Sequence, residues 1–138
     1  MPNIDAATWK VLVVEDDDSN RTVITHILRF YDAEVLEAAS GEEAVALLDK
    51  LTELSFCLFD IQMPRMSGWQ LLKELRSRPQ PTLSQIPVIA VTALAMQGDK
   101  ERILTAGFDG YIMKPVNPGT FVDNITEILE TCSETRKV

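Results

Sequence analysis

The chain has 138 residues, 46% of them hydrophobic and 25% charged, which is enough for one packed core and too little for two domains. Its formal net charge of −8 argues against a nucleic-acid surface of clustered Lys and Arg, and against docking on anionic membranes. The longest apolar run falls far short of a bilayer span, residues 1–5 lack a signal-peptide pattern, and Cys57 and Cys132 do not form a disulfide framework, so a cytoplasmic protein is expected.

In chain order, short β-like runs alternate with helical stripes. Residues 11–14 read as a strand buried on both faces. Residues 19–31 carry Val23, Ile24, Ile27, Leu28 and Tyr31 at helical spacing, leaving Thr22, Thr25, His26 and Arg29 on the opposite face. Residues 33–38 form a second strand candidate. Ser40 with Glu43 predicts a capping box ahead of the stripe Ala44, Val45, Leu47, Leu48 and Leu51. Residues 56–59 are the third strand, and Leu71, Leu72 and Leu75 mark a helix after Gly68. Pro79-Gln80-Pro81 predicts a loop. Pro87 opens the fourth strand, residues 88–91. A weak helix over about 96–106, with Gly98 inside it, is expected to be among the more mobile elements and to stop at Gly107. Residues 111–113 are the last strand. Asn117-Pro118 predicts the start of a final helix carrying Phe121, Val122, Ile125, Ile128 and Leu129. Five successive βα units imply an α/β fold: a doubly wound parallel sheet with helices on both faces. Residues 10–132 make the domain, and 1–9 and 133–138 read as tails.

In such sheets, sites form beyond the carboxyl ends of the strands. Four positions lie there: Glu15-Asp16 after the first strand, Asp60 at the end of the third, Thr92 at the end of the fourth, and Lys114-Pro115 after the fifth. Each alone has a bland explanation, such as a helix cap or a solvated lysine. Their coincidence at one end of four strands does not. Glu15, Asp16 and Asp60 carry three negative charges, which a divalent cation and Lys114 would neutralise. The ligands are all oxygen, so Mg²⁺ or Mn²⁺ is favoured over Zn²⁺. Asp60 can then attack phosphorus and form an acyl phosphate, with Lys114 balancing charge. Thr92 offers a hydroxyl to the new phosphoryl group, and Tyr111 is the aromatic side chain that could fill the space the hydroxyl leaves.

These motifs resemble the response-regulator receiver domain of two-component signalling. They are Val13-Val14-Glu15-Asp16, the run from Asp60 through Met63-Pro64 to Gly68, Val91-Thr92-Ala93, and the run from Gly107 through Tyr111 to Lys114-Pro115. The resemblance covers about Lys10 to Thr131 and implies a chemotaxis-receiver-like, flavodoxin-like fold with strand order 2-1-3-4-5. It implies that Asp60 is the phosphoacceptor, served by a histidine kinase or a phosphotransfer protein. Asp16 becomes the direct metal ligand, Glu15 acts largely through water, and the Gln62 backbone carbonyl completes the set. Thr92 and Tyr111 become the switch pair. Gln62 and Leu94 occupy the positions that tune hydrolysis of the acyl phosphate. Lys114-Pro115 is expected to be cis. Glu15 and Ser67 depart from the family pattern, which often has Asp at both places.

Other residues have plainer readings. His26, the single histidine, is expected on the surface, and Asp17 and Asp18 as helix-start charges. Trp69, Met63 and Met66 are expected to pack. A phosphatase with an aspartyl nucleophile would show a second Asp where Gln62 stands. A flavin carrier on this fold would not line its first loop with acids. The expected activity is self-phosphorylation and autodephosphorylation only, not separate enzymatic turnover. No output domain is expected after Thr131, so a downstream protein target would be met through a surface over about residues 96–131, with no nucleic acid or membrane as partner.

Overall fold

Five parallel strands form one sheet in the order β2-β1-β3-β4-β5. They are β1 (Lys10–Val14), β2 (Glu34–Ala38), β3 (Phe56–Asp60), β4 (Val88–Thr92) and β5 (Gly110–Met113). The computed structural model describes residues 6–93 and 97–136. The helices are α1 (Asp18–Phe30), α2 (Gly41–Leu48), α3 (Gly68–Arg76), α4 (Pro81–Ser84), α5 (Gln97–Ala106) and α6 (Phe121–Arg136). β3 and β4 are buried at every position, as their unbroken apolar runs require. β2, an edge strand, is buried only at Ala38.

The sheet separates two apolar layers. On one face α2, α3 and α5 pack Leu48, Leu71, Leu72, Leu75 and Ile103 against Cys57, Phe59 and Ala90. On the other, α1 and α6 pack Ile24, Leu28, Phe121 and Ile125 against Val11, Phe56 and Leu58. Each fully buried Leu, Ile, Val or Phe among them contributes about 1.5–3 kcal/mol by leaving water. Both cysteines are buried, and neither is in a disulfide. Trp69 packs edge-on to Phe108 at 5.8 Å, with the Arg102 guanidinium 5.2 Å from its ring centre.

Several expectations shift. Residues 6–9 do not behave as a tail: Ala6–Thr8 is a short 3-10 turn, and Ala6 and Trp9 are buried, Trp9 edge-on to Phe56 at 5.0 Å. At the other end α6 continues to Arg136 instead of ending near 132. α4 stands where Pro79-Gln80-Pro81 predicts a loop, because Leu83 is fully buried and proline suits a first helical turn. Thr25 is buried, its hydroxyl donating to the Thr22 carbonyl at 3.2 Å, whereas Val23 and Tyr31 of the supposed apolar stripe are 42% and 44% exposed. The stripe is therefore rotated toward Ile24, Ile27 and Leu28. Ser40 does cap α2, accepting from the Glu43 N–H at 3.1 Å, but Glu43 reaches back to the Ala39 N–H rather than that of Ser40. Asn117 closes a turn, its Oδ1 accepting from the Gly119 N–H at 2.8 Å, and the helix proper starts at Phe121. Gly107 ends α5 with φ +112, a conformation that favours glycine.

Two contacts set how the helices meet the sheet. The Arg76 guanidinium at the end of α3 donates to the carbonyls of Ser84 (3.1 Å) and Ile86 (2.6 Å) and to Asp109 Oδ2 (3.1 Å). Asp109 Oδ2 also accepts the Val88 N–H at 2.8 Å, so one ion pair ties α3 to the starts of β4 and β5. At the other end of α3 the Gly68 N–H donates to the Ile61 carbonyl at 2.8 Å. A Cβ on Gly68 would stand 2.5 Å from the Asp60 carbonyl oxygen and 2.7 Å from the Ile61 Cα. Backbone atoms cannot yield cheaply. Gly68→Ala is expected to cost about 2–3 kcal/mol, read as a lower denaturant midpoint at unchanged slope.

Candidate functional site

The strand register brings the expected residues to one edge. Val14 pairs with Phe59, so Glu15, the next residue on β1's path, comes level with Asp60. Asp60 pairs with Val91 and Thr92 with Met113, which places Lys114 one step beyond. The Lys114 N–H donates to the Thr92 carbonyl at 2.9 Å. The Lys114-Pro115 bond is cis. Glu15 and Asp60 are buried, 1% and 5% exposed, while Asp16 faces solvent. One carboxylate oxygen from each of Glu15, Asp16 and Asp60 lies within 4.8 Å of the others.

Lys114 Nζ stands 2.6 Å from Glu15 Oε1 and 3.4 Å from Asp60 Oδ1. The Gln62 N–H donates to Asp60 Oδ1 at 3.3 Å, and the Asp17 N–H to Glu15 Oε2 at 3.1 Å. Asp17 caps α1, accepting from the Asn20 N–H at 2.8 Å, and Asp18 begins the helix. Both are helix-start charges, apart from the cluster. His26 is exposed on α1 and is not a member of the carboxylate cluster.

The electrostatics are those of too many acids for one ammonium. Burial pushes the Asp60 carboxyl up to about 7; contact with Glu15 and its negative charge add to this, and Lys114 opposes it. For Lys114, burial works against the charged form, but contact with Glu15 and the charges of Asp60 and Glu15 outweigh it and raise the pKa. Glu15 Oε1 is buried, and despite the close ammonium it has no partner with hydrogen-bond geometry. A buried carboxylate oxygen left this way is costly. An all-oxygen cluster with three carboxylates for one ammonium fits a hard divalent cation.

Thr92 ends β4 fully buried, with its main chain tied to Lys114. Tyr111 lies two residues before Thr92's partner on β5, half-buried, with Lys100 Nζ 5.9 Å from its ring centre. The Gln62 side chain is exposed beside the site. Leu94, the other expected hydrolysis-tuning position, and Met96 lie outside the described residues. Gly68, already part of the sequence motif, gains a structural reason here, and Arg21 is a residue the linear pattern did not single out. Gly68 allows α3 to start against the Asp60 main chain. Arg21, whose NH1 donates to the Glu15 carbonyl at 2.9 Å, is marked in sequence only as a basic residue in an acidic first turn.

Asp60 binds its proton more tightly folded than unfolded, since its pKa rises from 3.8 to about 7. The native state therefore holds more protons between those values, and this contribution to stability is present below about 4 and lost as pH rises through about 7. In metal-free protein Asp60→Asn is expected to raise stability at pH 8 by about 1–2 kcal/mol, with the advantage vanishing toward pH 4. Thermal melts of both forms with chelator across that range check this. An advantage that grows as pH falls would contradict it.

Comparison with known proteins agrees with this geometry. Residues 11–126 match the family model described as the response regulator receiver domain. The polar-differentiation response regulator DivK of Brucella ovis is 37% identical over 122 residues, 88% of this chain and 97% of that protein. The Vibrio cholerae chemotaxis protein CheY4 superposes with a TM-score of 0.79 at 30% identity, covering 88% of this chain and 98% of that one. The receiver domain of a Pseudomonas aeruginosa sensor histidine kinase, solved with a magnesium ion coordinated in its active-site cleft, gives 0.76 at 30% identity over the same shares. A match across most of the length, a sheet in the same order and an acidic edge that suits a cation lead to one assignment: the chain is a response regulator receiver domain.

Proposed function

We propose that the chain accepts a phosphoryl group on Asp60 from the histidine of a sensor kinase or phosphotransfer protein, and that the modified domain binds a downstream protein. The observation that carries this reading is the placement of Asp60. It is a buried carboxylate between two other acids, 3.4 Å from a lysine ammonium.

In the transfer, an Asp60 Oδ forms a bond to phosphorus while the bond from phosphorus to the donor's imidazole nitrogen breaks. That nitrogen keeps the electron pair. Return to the resting state adds water oxygen to phosphorus, breaks the bond to Asp60 and releases inorganic phosphate. Glu15, Asp16, Asp60 and the Gln62 backbone carbonyl would hold Mg²⁺, which when bound offsets the charge of the phosphoryl oxygens. Lys114, paired with both Glu15 and Asp60, supplies a second positive charge where the phosphoryl group arrives. The chain performs only this self-modification and its reversal.

A phosphoryl group makes the site more negative by about one charge and adds acceptor oxygens. The Thr92 hydroxyl is the nearest donor on β4 positioned to answer it. Its movement, with Tyr111 turning inward, would carry the change into α5, β5 and α6. The low apolar content of α5, with Ile103 its buried aliphatic anchor, supports this route. So does the groove between β5 and α6, lined by Tyr111, Met113, Pro115, Asn124 and Ile128. The kinase origin of the Pseudomonas relative is consistent with a histidine donor.

Incubation with a small phosphodonor and Mg²⁺ is expected to add about 80 Da, one phosphoryl group, to the wild-type chain and nothing to Asp60→Asn. Lys114→Ala is expected to slow the gain by at least about tenfold. Mass gain by Asp60→Asn would remove Asp60 as sole acceptor. Separately, a phosphoryl mimic should change amide-exchange protection within residues 97–131. Unchanged protection there would refute the output surface while leaving the acceptor assignment standing.

A further inference from the structure

We propose that Arg21 is a positioning residue for the cation site, holding the Glu15–Asp16 peptide so that the two carboxylates on either side of it face Asp60. The inference rests on the reading of the acidic cluster as a cation site. Arg21 lies one turn into α1, and its side chain is only 17% exposed. Its guanidinium contacts three elements. NH1 donates to the Glu15 carbonyl at 2.9 Å, NH2 to Asp18 Oδ1 at 2.6 Å, and Nε to Glu37 Oε1 on β2 at 3.3 Å. The Glu15 N–H is bound on its other side, donating to the Ala38 carbonyl at 3.1 Å. Residue 15 is thus gripped at both main-chain groups, from β2 and from α1.

The grip matters because of what the peptide carries. Glu15 projects a buried carboxylate and Asp16 an exposed one, and each supplies an oxygen to the cluster. Rotation of the peptide between them would swing Asp16 relative to Asp60. An exposed side chain has no packing to prevent this, so the fixed carbonyl restrains it together with the Asp17 N–H bond to Glu15 Oε2. Arg21 touches no carboxylate of the cluster itself, and its acidic partners, Asp18 and Glu37, lie outside it. Its planar fork can serve three acceptors in different directions, whereas a lysine ammonium at this reach cannot reproduce that geometry. Partners in this outer layer commonly influence metal affinity by about 10–100-fold.

Arg29 provides a control within the same helix. Its NH2 also pairs with Glu37, at 3.1 Å, but it makes no contact with Glu15. Mn²⁺ affinity, measured by calorimetry on the full chain, is expected to weaken about tenfold in Arg21→Met and in Arg21→Lys and to stay within about twofold of wild type in Arg29→Met. In metal-free protein the Asp16 and Asp17 amides are expected to exchange faster in both Arg21 variants than in Arg29→Met, while the melting temperatures of the three remain similar. Tight Mn²⁺ binding by Arg21→Met would overturn the proposal. Full recovery in Arg21→Lys would also overturn it, since charge rather than placement would then be the cause. Should Arg21→Met fail to fold, Arg21→Lys and its amide exchange decide the matter, and exchange at the wild-type rate would refute the proposal. Absence of Mn²⁺ binding by the wild-type chain would overturn the cation-site reading together with this one. Binding in wild type but undiminished in Arg21→Met would remove only the Arg21 role.

Discussion

Three carboxylates converge on one end of a parallel sheet, two of them buried, and a single ammonium answers them. Most of what distinguishes this molecule from a generic α/β domain follows from that imbalance. Burial alone would drive Asp60 toward its neutral form, and Glu15 pushes in the same direction. Lys114 holds part of the charge in place but leaves a buried oxygen of Glu15 without a well-aligned donor. The edge is thereby kept deficient in positive charge, which suits a hard cation.

The surrounding fold keeps that edge rigid where it must be rigid. The parallel register fixes which residue of each strand faces its neighbour, so no single loop has to place the site. Gly68 lets α3 begin in direct contact with the main chain at Asp60. Arg76 and Asp109 lock the far ends of α3, β4 and β5 to one another. On α5, Ile103 is buried in the core and Leu104 is exposed.

Much of this was legible in the chain. Continuous apolar runs identify buried strands because a parallel sheet covers both faces, and the residue types that follow each run announce the site. Elsewhere tertiary contacts override local signals. Leu83 draws a helical turn out of a proline-rich stretch. Trp9 pulls residues 6–9 onto the core by packing edge-on against Phe56. The crowding of α1 against the sheet buries Thr25 and exposes Val23. Arg21 was invisible for a different reason: its importance lies in a bond to a main-chain carbonyl, and main-chain partners leave no trace in residue identity.

The packing of Trp69 has an experimental use. Its indole packs edge-on to Phe108 and lies 5.2 Å from the Arg102 guanidinium of α5, while Trp9 sits on the opposite face of the sheet against Phe56. The chain has only these two tryptophans. Displacement of α5 would alter the quenching cation beside one fluorophore and leave the second as a constant background. The native protein thus carries its own optical gauge of helix movement, readable in stopped-flow time without attaching a dye.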